Sequence, residues 1–98
     1  MKIVWTEPAL KDLENIKIFI AHDSIYYALE VMTEIFSRVE KLSFYPKLGK
    51  SVRENKSRFI REIVYGNYRI IYRIKSEIEI LTVIHSSKNF KPQKLKNR

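Results

Sequence analysis

The chain has 98 residues, 45% hydrophobic and 31% charged, with a formal net charge of +8. That is the length of one domain with a single modest core, and not the composition of a disordered chain. It has no cysteine, which excludes a disulfide framework and thiolate metal ligation, and His22 and His85 stand too far apart to suggest a zinc site.

Lys2–Trp5 is short, apolar and partly β-branched, and reads as a brief strand. Thr6 is a good N-cap, and Glu7 and Pro8 suit a first helical turn. Ala9, Leu13, Ile16 and Ile20 then recur at helical spacing, which predicts a helix from Thr6 to His22. Asp23 and Ser24 break the pattern and offer a second cap. An apolar stripe of Ile25, Ala28, Leu29, Met32, Ile35, Phe36, Val39 and Leu42 predicts a second helix over Ile25–Phe44. So short a link folds the two helices back as an antiparallel hairpin.

Tyr45-Pro46-Lys47-Leu48-Gly49-Lys50 ends the helix, and residues 45–57 read as an irregular connection. Three strands follow, Phe59–Tyr65, Tyr68–Ile74 and Ile78–His85. They are joined by short turns at Gly66-Asn67 and Ser76-Glu77, so neighbours pair antiparallel. The expected fold is α+β, in the order β-α-α-β-β-β, with a helical hairpin packed on a small antiparallel sheet and the first strand at its edge. Residues 1–90 form a single domain. Residues 91–98 form a basic C-terminal tail, and the stretch from Ser86 to Arg98 is expected to be partly disordered without a partner.

Charge is distributed unevenly along this order. Residues 1–46 carry five basic and seven acidic side chains, and residues 47–98 carry fourteen and four. The second half therefore attracts polyanions, either nucleic acid or an acidic protein segment. A Lys-rich surface that merely aids solubility accounts for the charge equally well. No run approaches the roughly 18 apolar residues of a membrane span. The first residues hold no signal-length apolar stretch, so a cytoplasmic protein with no membrane partner is expected.

Gly-rich phosphate loops, nucleophile elbows and paired metal-ligand histidines are all absent, which points away from cofactor-, NTP- and metal-dependent enzymes. What remains is a basic set on the strands. Alternation puts Arg69, Ile71 and Arg73 on one face of their strand and Tyr68, Ile70, Tyr72 and Ile74 on the other. Phe59, Arg61 and Ile63 share a face of the preceding strand, and His85 ends the last one. A sheet rimmed by arginine and histidine suits a phosphate backbone, and such groups can cleave RNA through its 2′-hydroxyl without metal. The plain alternatives are that the arginines are solvated, that Tyr68 and Tyr72 belong to the core, and that His85 is a capping residue.

Several stretches resemble the RelE/ParE toxin superfamily of type II toxin–antitoxin systems. Trp5-Thr6-Glu7-Pro8-Ala9-Leu10-Lys11-Asp12-Leu13 is similar to its opening, and Phe44-Tyr45-Pro46-Lys47-Leu48-Gly49-Lys50 to its Pro-x-x-Gly connection. Arg61-Glu62-Ile63 with Gly66-Asn67-Tyr68-Arg69-Ile70-Ile71-Tyr72-Arg73-Ile74 resembles its central hairpin, and Ile78–His85 its last strand. The pattern looks more like the ParE branch, which implies growth arrest by inhibition of DNA gyrase, no enzymatic activity and a role in plasmid stabilization. The RelE branch implies instead a ribosome-dependent mRNA endoribonuclease (an mRNA interferase), with His85, Arg69 and Arg61 as catalytic candidates. Arg58, Arg73, Lys88 and Phe90 are the binding candidates. The resemblance implies a cognate acidic antitoxin as partner, in a hetero-oligomer or beside a homodimer, and no cofactor. Outside the superfamily, a basic nucleic-acid-binding module is the competing reading.

Overall fold

The computed structural model describes residues 1–91. Strand β1 (Ile3–Trp5) leads through Thr6 into helix α1 (Glu7–Ala21). The Thr6 hydroxyl accepts from the Ala9 amide at 3.3 Å and donates to the Ile80 carbonyl at 2.7 Å, so one side chain caps the helix and ties it to the sheet. The amides of Asp23 and Ser24 both reach the Ile20 carbonyl and close the hairpin. Ser24 then caps α2 (Ile25–Glu40) by accepting from the Tyr27 amide at 3.0 Å. A 3-10 turn at Lys41–Ser43 ends this helix a little earlier than the apolar stripe alone predicts.

The remaining strands are β2 (Lys50–Ser51), β3 (Ile60–Tyr65), β4 (Tyr68–Ile74) and β5 (Ile78–His85). They form one five-stranded sheet in the order β1-β5-β4-β3-β2. The sheet is mixed, not wholly antiparallel. β1 does occupy an edge, but it runs parallel to β5, pairing Ile3 with Ile78 and Trp5 with Ile80. Short turns dictate the direction of β3, β4 and β5; no turn constrains β1, which returns to the sheet from the far end of the chain. The two residues of β2 lie inside the connection read as irregular, paired antiparallel with Arg61 and Glu62. At the β3–β4 turn, Gly66 takes a left-handed conformation with φ 55°, as a tight hairpin requires.

Both faces of the sheet are covered. The larger core lies between helices and sheet, where Ala9, Leu13, Ala28, Val31, Ile35 and Val39 meet Ile70, Tyr72, Ile78, Ile80 and Val83. On the opposite face a smaller cluster joins Ile71 and Leu81 to Val52, Ile60 and Phe90. Its cover is made by residues 52–59 and by Ser86–Lys91, which fold back over the strands. These last residues, the start of the expected loose tail, are therefore packed; residues 92–98 of that tail lie outside the described residues.

Tyr72 joins the two halves of the chain. Its ring is fully buried, and its hydroxyl donates to the Pro46 carbonyl at 2.7 Å while accepting from the Gly49 amide at 2.9 Å. Burial pushes this phenol above its ordinary pKa. A Cβ on Gly49 would sit 2.5 Å from the Glu62 carbonyl oxygen and 2.7 Å from the Tyr72 hydroxyl, so only glycine permits the approach. Tyr72→Phe leaves a buried amide without its acceptor and is expected to cost about 1–3 kcal/mol of stability, read as a lower midpoint in urea. An unchanged midpoint would show that this hydroxyl anchors nothing.

Candidate functional site

Seven side chains were candidates from the sequence: Arg58, Arg61, Arg69, Arg73, His85, Lys88 and Phe90. The fold distributes them over three places. Arg69 is buried under the cover, with its side chain only 3% exposed. Its two terminal nitrogens form a fork on Glu54, at 2.8 and 2.7 Å, and its Nε donates to Glu62 at 2.6 Å. One terminal nitrogen also donates to the Lys88 carbonyl at 3.1 Å. Glu54 in turn accepts from the Phe90 amide at 2.8 Å, and the Phe90 ring fills the pocket beside it. The guanidinium thus ties together the connection, β3, β4 and the C-terminal segment. Hydrogen bonds from Arg69 outweigh burial and hold the Glu54 carboxyl down at about 2, while the same bonds raise Arg69 itself.

Arg61 stands on the other face of the sheet. It is the register partner of Tyr72, and its Nε donates to the Gly49 carbonyl at 2.8 Å. Arg73 is held by its cross-strand neighbour Glu79 at 2.8 Å. Arg58 is exposed, its guanidinium 4.9 Å above the ring of Phe59.

His85 and Lys88 are brought together. Both line a cleft of about 370 Å³ between α1 and the end of the sheet, with Asp12, Asn15, Phe19 and Tyr68. The His85 Nδ1 accepts from the Ser87 amide at 3.1 Å, which leaves the neutral ring its proton on Nε2. The ring meets Tyr68 edge-on at 5.9 Å. Asp12 is less available than its position suggests, since one oxygen takes both the Thr82 hydroxyl at 2.6 Å and the Val83 amide at 3.1 Å. Those bonds fall beside the register shift that interrupts the β4–β5 pairing at Ile71 and Tyr72.

This arrangement resolves into a supported cover, an exposed His/Lys cleft and a cationic rim. The sequence reading missed Glu54 and Glu62 as partners of Arg69. One signal was present: Glu54 is the lone acid among Lys47, Lys50, Arg53, Lys56, Arg58 and Arg61. A single carboxylate kept within a cationic run points to a specific buried partner.

Comparison with known proteins follows the same outline. Residues 3–90 match the family model described as the ParE toxin of the type II toxin–antitoxin system, parDE. The chain belongs to the ParE toxin family. A relative from Sinorhizobium fredii named "Putative toxin Y4kP" is 36% identical over 96 residues, covering 96% of each chain. Among solved structures, a chain of the chromosomal ParDE system from P. aeruginosa superposes with a TM-score of 0.70 at 24% identity, over 87% of this chain and 95% of that one. A chain of the RelBE2 toxin–antitoxin complex from Mycobacterium tuberculosis gives 0.56 at 22% identity, over 86% and 95%. These two establish the shared fold. This ParE-family chain is thus a type II toxin by family, and no helix among its described residues is long and apolar enough to cross a membrane.

The buried ion pairs make stability acid-sensitive. Glu54 titrates near 2 in the fold against an ordinary 4.5, so its contribution is complete above about 4.5 and disappears as pH falls toward 2. Arg69→Met leaves two buried carboxylates uncompensated and should cost about 3–5 kcal/mol near neutral pH, with a smaller deficit near pH 3. Urea midpoints of both proteins across that range check it; a deficit independent of pH would break the assignment.

Proposed function

We propose that this toxin arrests growth by ParE-like inhibition of DNA gyrase, without nuclease chemistry, and is held inactive by an acidic cognate antitoxin. The observation that carries the first part is the state of Arg69. A cation that stabilises a crowded phosphate must face it. Here the guanidinium is spent on Glu54 and Glu62, and Arg61 lies across the sheet from it. His85 and Lys88 alone share an open cleft. That favours a toxin that works by binding a macromolecule over one that cuts RNA.

Two surfaces support the antitoxin. A cleft of about 430 Å³ between the end of α2 and β3 has Arg38, Lys41 and Lys50 around Leu48 and Ile63. Around the tip of the helical hairpin, Ile18, Phe19, Ile25, Tyr26 and Leu29 are all more than half exposed. The two lie at opposite ends of α2, and an extended amphipathic acidic segment that folds on binding along this helix would cover both. A small acidic protein encoded beside this chain is the expected genetic companion.

Expression of the chain alone is expected to stop growth and induce the DNA-damage response, and the purified protein to inhibit gyrase supercoiling. Ribosome-bound mRNA should stay intact, and His85→Ala should still arrest growth. Cut mRNA, together with loss of arrest in His85→Ala, would instead establish the ribosome-dependent endoribonuclease. Undisturbed growth during accumulation of soluble protein would remove the toxin reading altogether.

A further inference from the structure

The cover on the second face of the sheet has an outer surface whose charge is more extreme than the sequence count suggests. Between residues 47 and 61 there are six cations and one acid. That acid, Glu54, is turned inward, its side chain 13% exposed and its oxygens occupied by Arg69 and the Phe90 amide. Glu62 and Glu79, the other acids on this face, are committed to Arg69 and Arg73. The outer surface is left with Arg53, Lys56, Arg58, Lys88 and Lys91, all exposed. Lys56, Arg58, Lys88 and Lys91 have no carboxylate partner among the described residues. Arg53 donates to the Asn89 side chain at 3.3 Å, which locks the two covering segments side by side.

We propose that this cationic cover is a docking surface for the phosphate backbone of duplex DNA, bound without regard to sequence. Glu54 and Glu62, the carboxylates that would oppose a polyanion here, are turned inward on an arginine that is itself inaccessible, so the exposed field of the cover is predominantly positive. The surface is made of two irregular segments. Neither offers a helix to enter the major groove, so base edges go unread. Single-stranded nucleic acid would need aromatic platforms. The one large aromatic at hand, Phe59, is half exposed and already has the Arg58 guanidinium over its ring. The cover meets the His85 cleft only at Lys88 and is separate from the Arg38–Lys41–Lys50 cleft, and its DNA binding needs neither gyrase nor an antitoxin.

The test is fluorescence anisotropy of the purified toxin with a dye-labelled 30-base-pair duplex of arbitrary sequence and with a 30-residue oligo-dT, across a salt series. A face contacting four or five phosphates gives a slope of log K against log salt of about −4. The triple variant Lys56→Glu, Arg58→Glu, Lys91→Glu should lose on the order of tenfold or more in affinity and about three from that slope. Lys11→Glu, Lys17→Glu, Lys41→Glu makes the same change in net charge on the helices and should leave the slope nearly intact. Circular dichroism confirms that both variants fold. Equal losses in the two triples would overturn the proposal in favour of net charge alone. Tighter binding of oligo-dT than of the duplex would overturn it in favour of a single-strand surface. Failure to bind the duplex at low salt would overturn it outright. Since gyrase is absent from the assay, none of these outcomes bears on the gyrase reading.

Discussion

A buried guanidinium held by two carboxylates is a demanding thing to build into a small protein. Removing Arg69, Glu54 and Glu62 from water has a large desolvation cost, which only good geometry and complete hydrogen bonding can offset. The fold supplies both: a fork on Glu54, a third bond to Glu62, a fourth to the Lys88 carbonyl. The arrangement forces two segments without regular structure into fixed positions, because Glu54 belongs to one and the Lys88 carbonyl and Phe90 amide to the other. Val52 and Phe90 then complete an apolar layer that the strands alone cannot close. The polar cluster fixes where the cover sits, and the apolar layer beneath supplies favourable burial.

Helical spacing with good caps made α1 and α2 readable, since Thr6 and Ser24 cap as their positions in the sequence suggest. Turn chemistry made the β3-β4-β5 meander readable for the same local reason. Long-range features were not legible. The direction of β1 depends on a partner more than seventy residues away, and two-residue β2 exists only because β3 lies beside it. Alternation identified the residues sharing a face with Arg69, but it could not say that this face was roofed. Period two reports which side chains point together, not what lies over them. Arg61 illustrates the same limit, for its face is set by pairing with Tyr72 and not by its likeness to Arg69.

Electrostatics and packing divide the surface by chemistry. Carboxylates in the second half of the chain are occupied: Glu54 and Glu62 by Arg69, Glu79 by Arg73, Glu77 by Lys2. Cations outnumber them, and the surplus faces water. The helical hairpin presents the contrasting surface, apolar at its tip and with Glu30 and Glu40 exposed along α2. One small domain therefore has chemically different sides, a cationic cover and an apolar helical tip.

The parallel pairing of β1 with β5 also bears on the birth of the protein. β1 leaves the ribosome more than seventy residues before its neighbour β5, and Phe90 follows β5. Such separated contacts postpone closure of the sheet until β5 has emerged. A nascent chain stopped before Ile78 lacks the strand that joins β1 to β4 and cannot assemble this sheet. The two-helix, five-strand arrangement is therefore complete only once translation has passed β5.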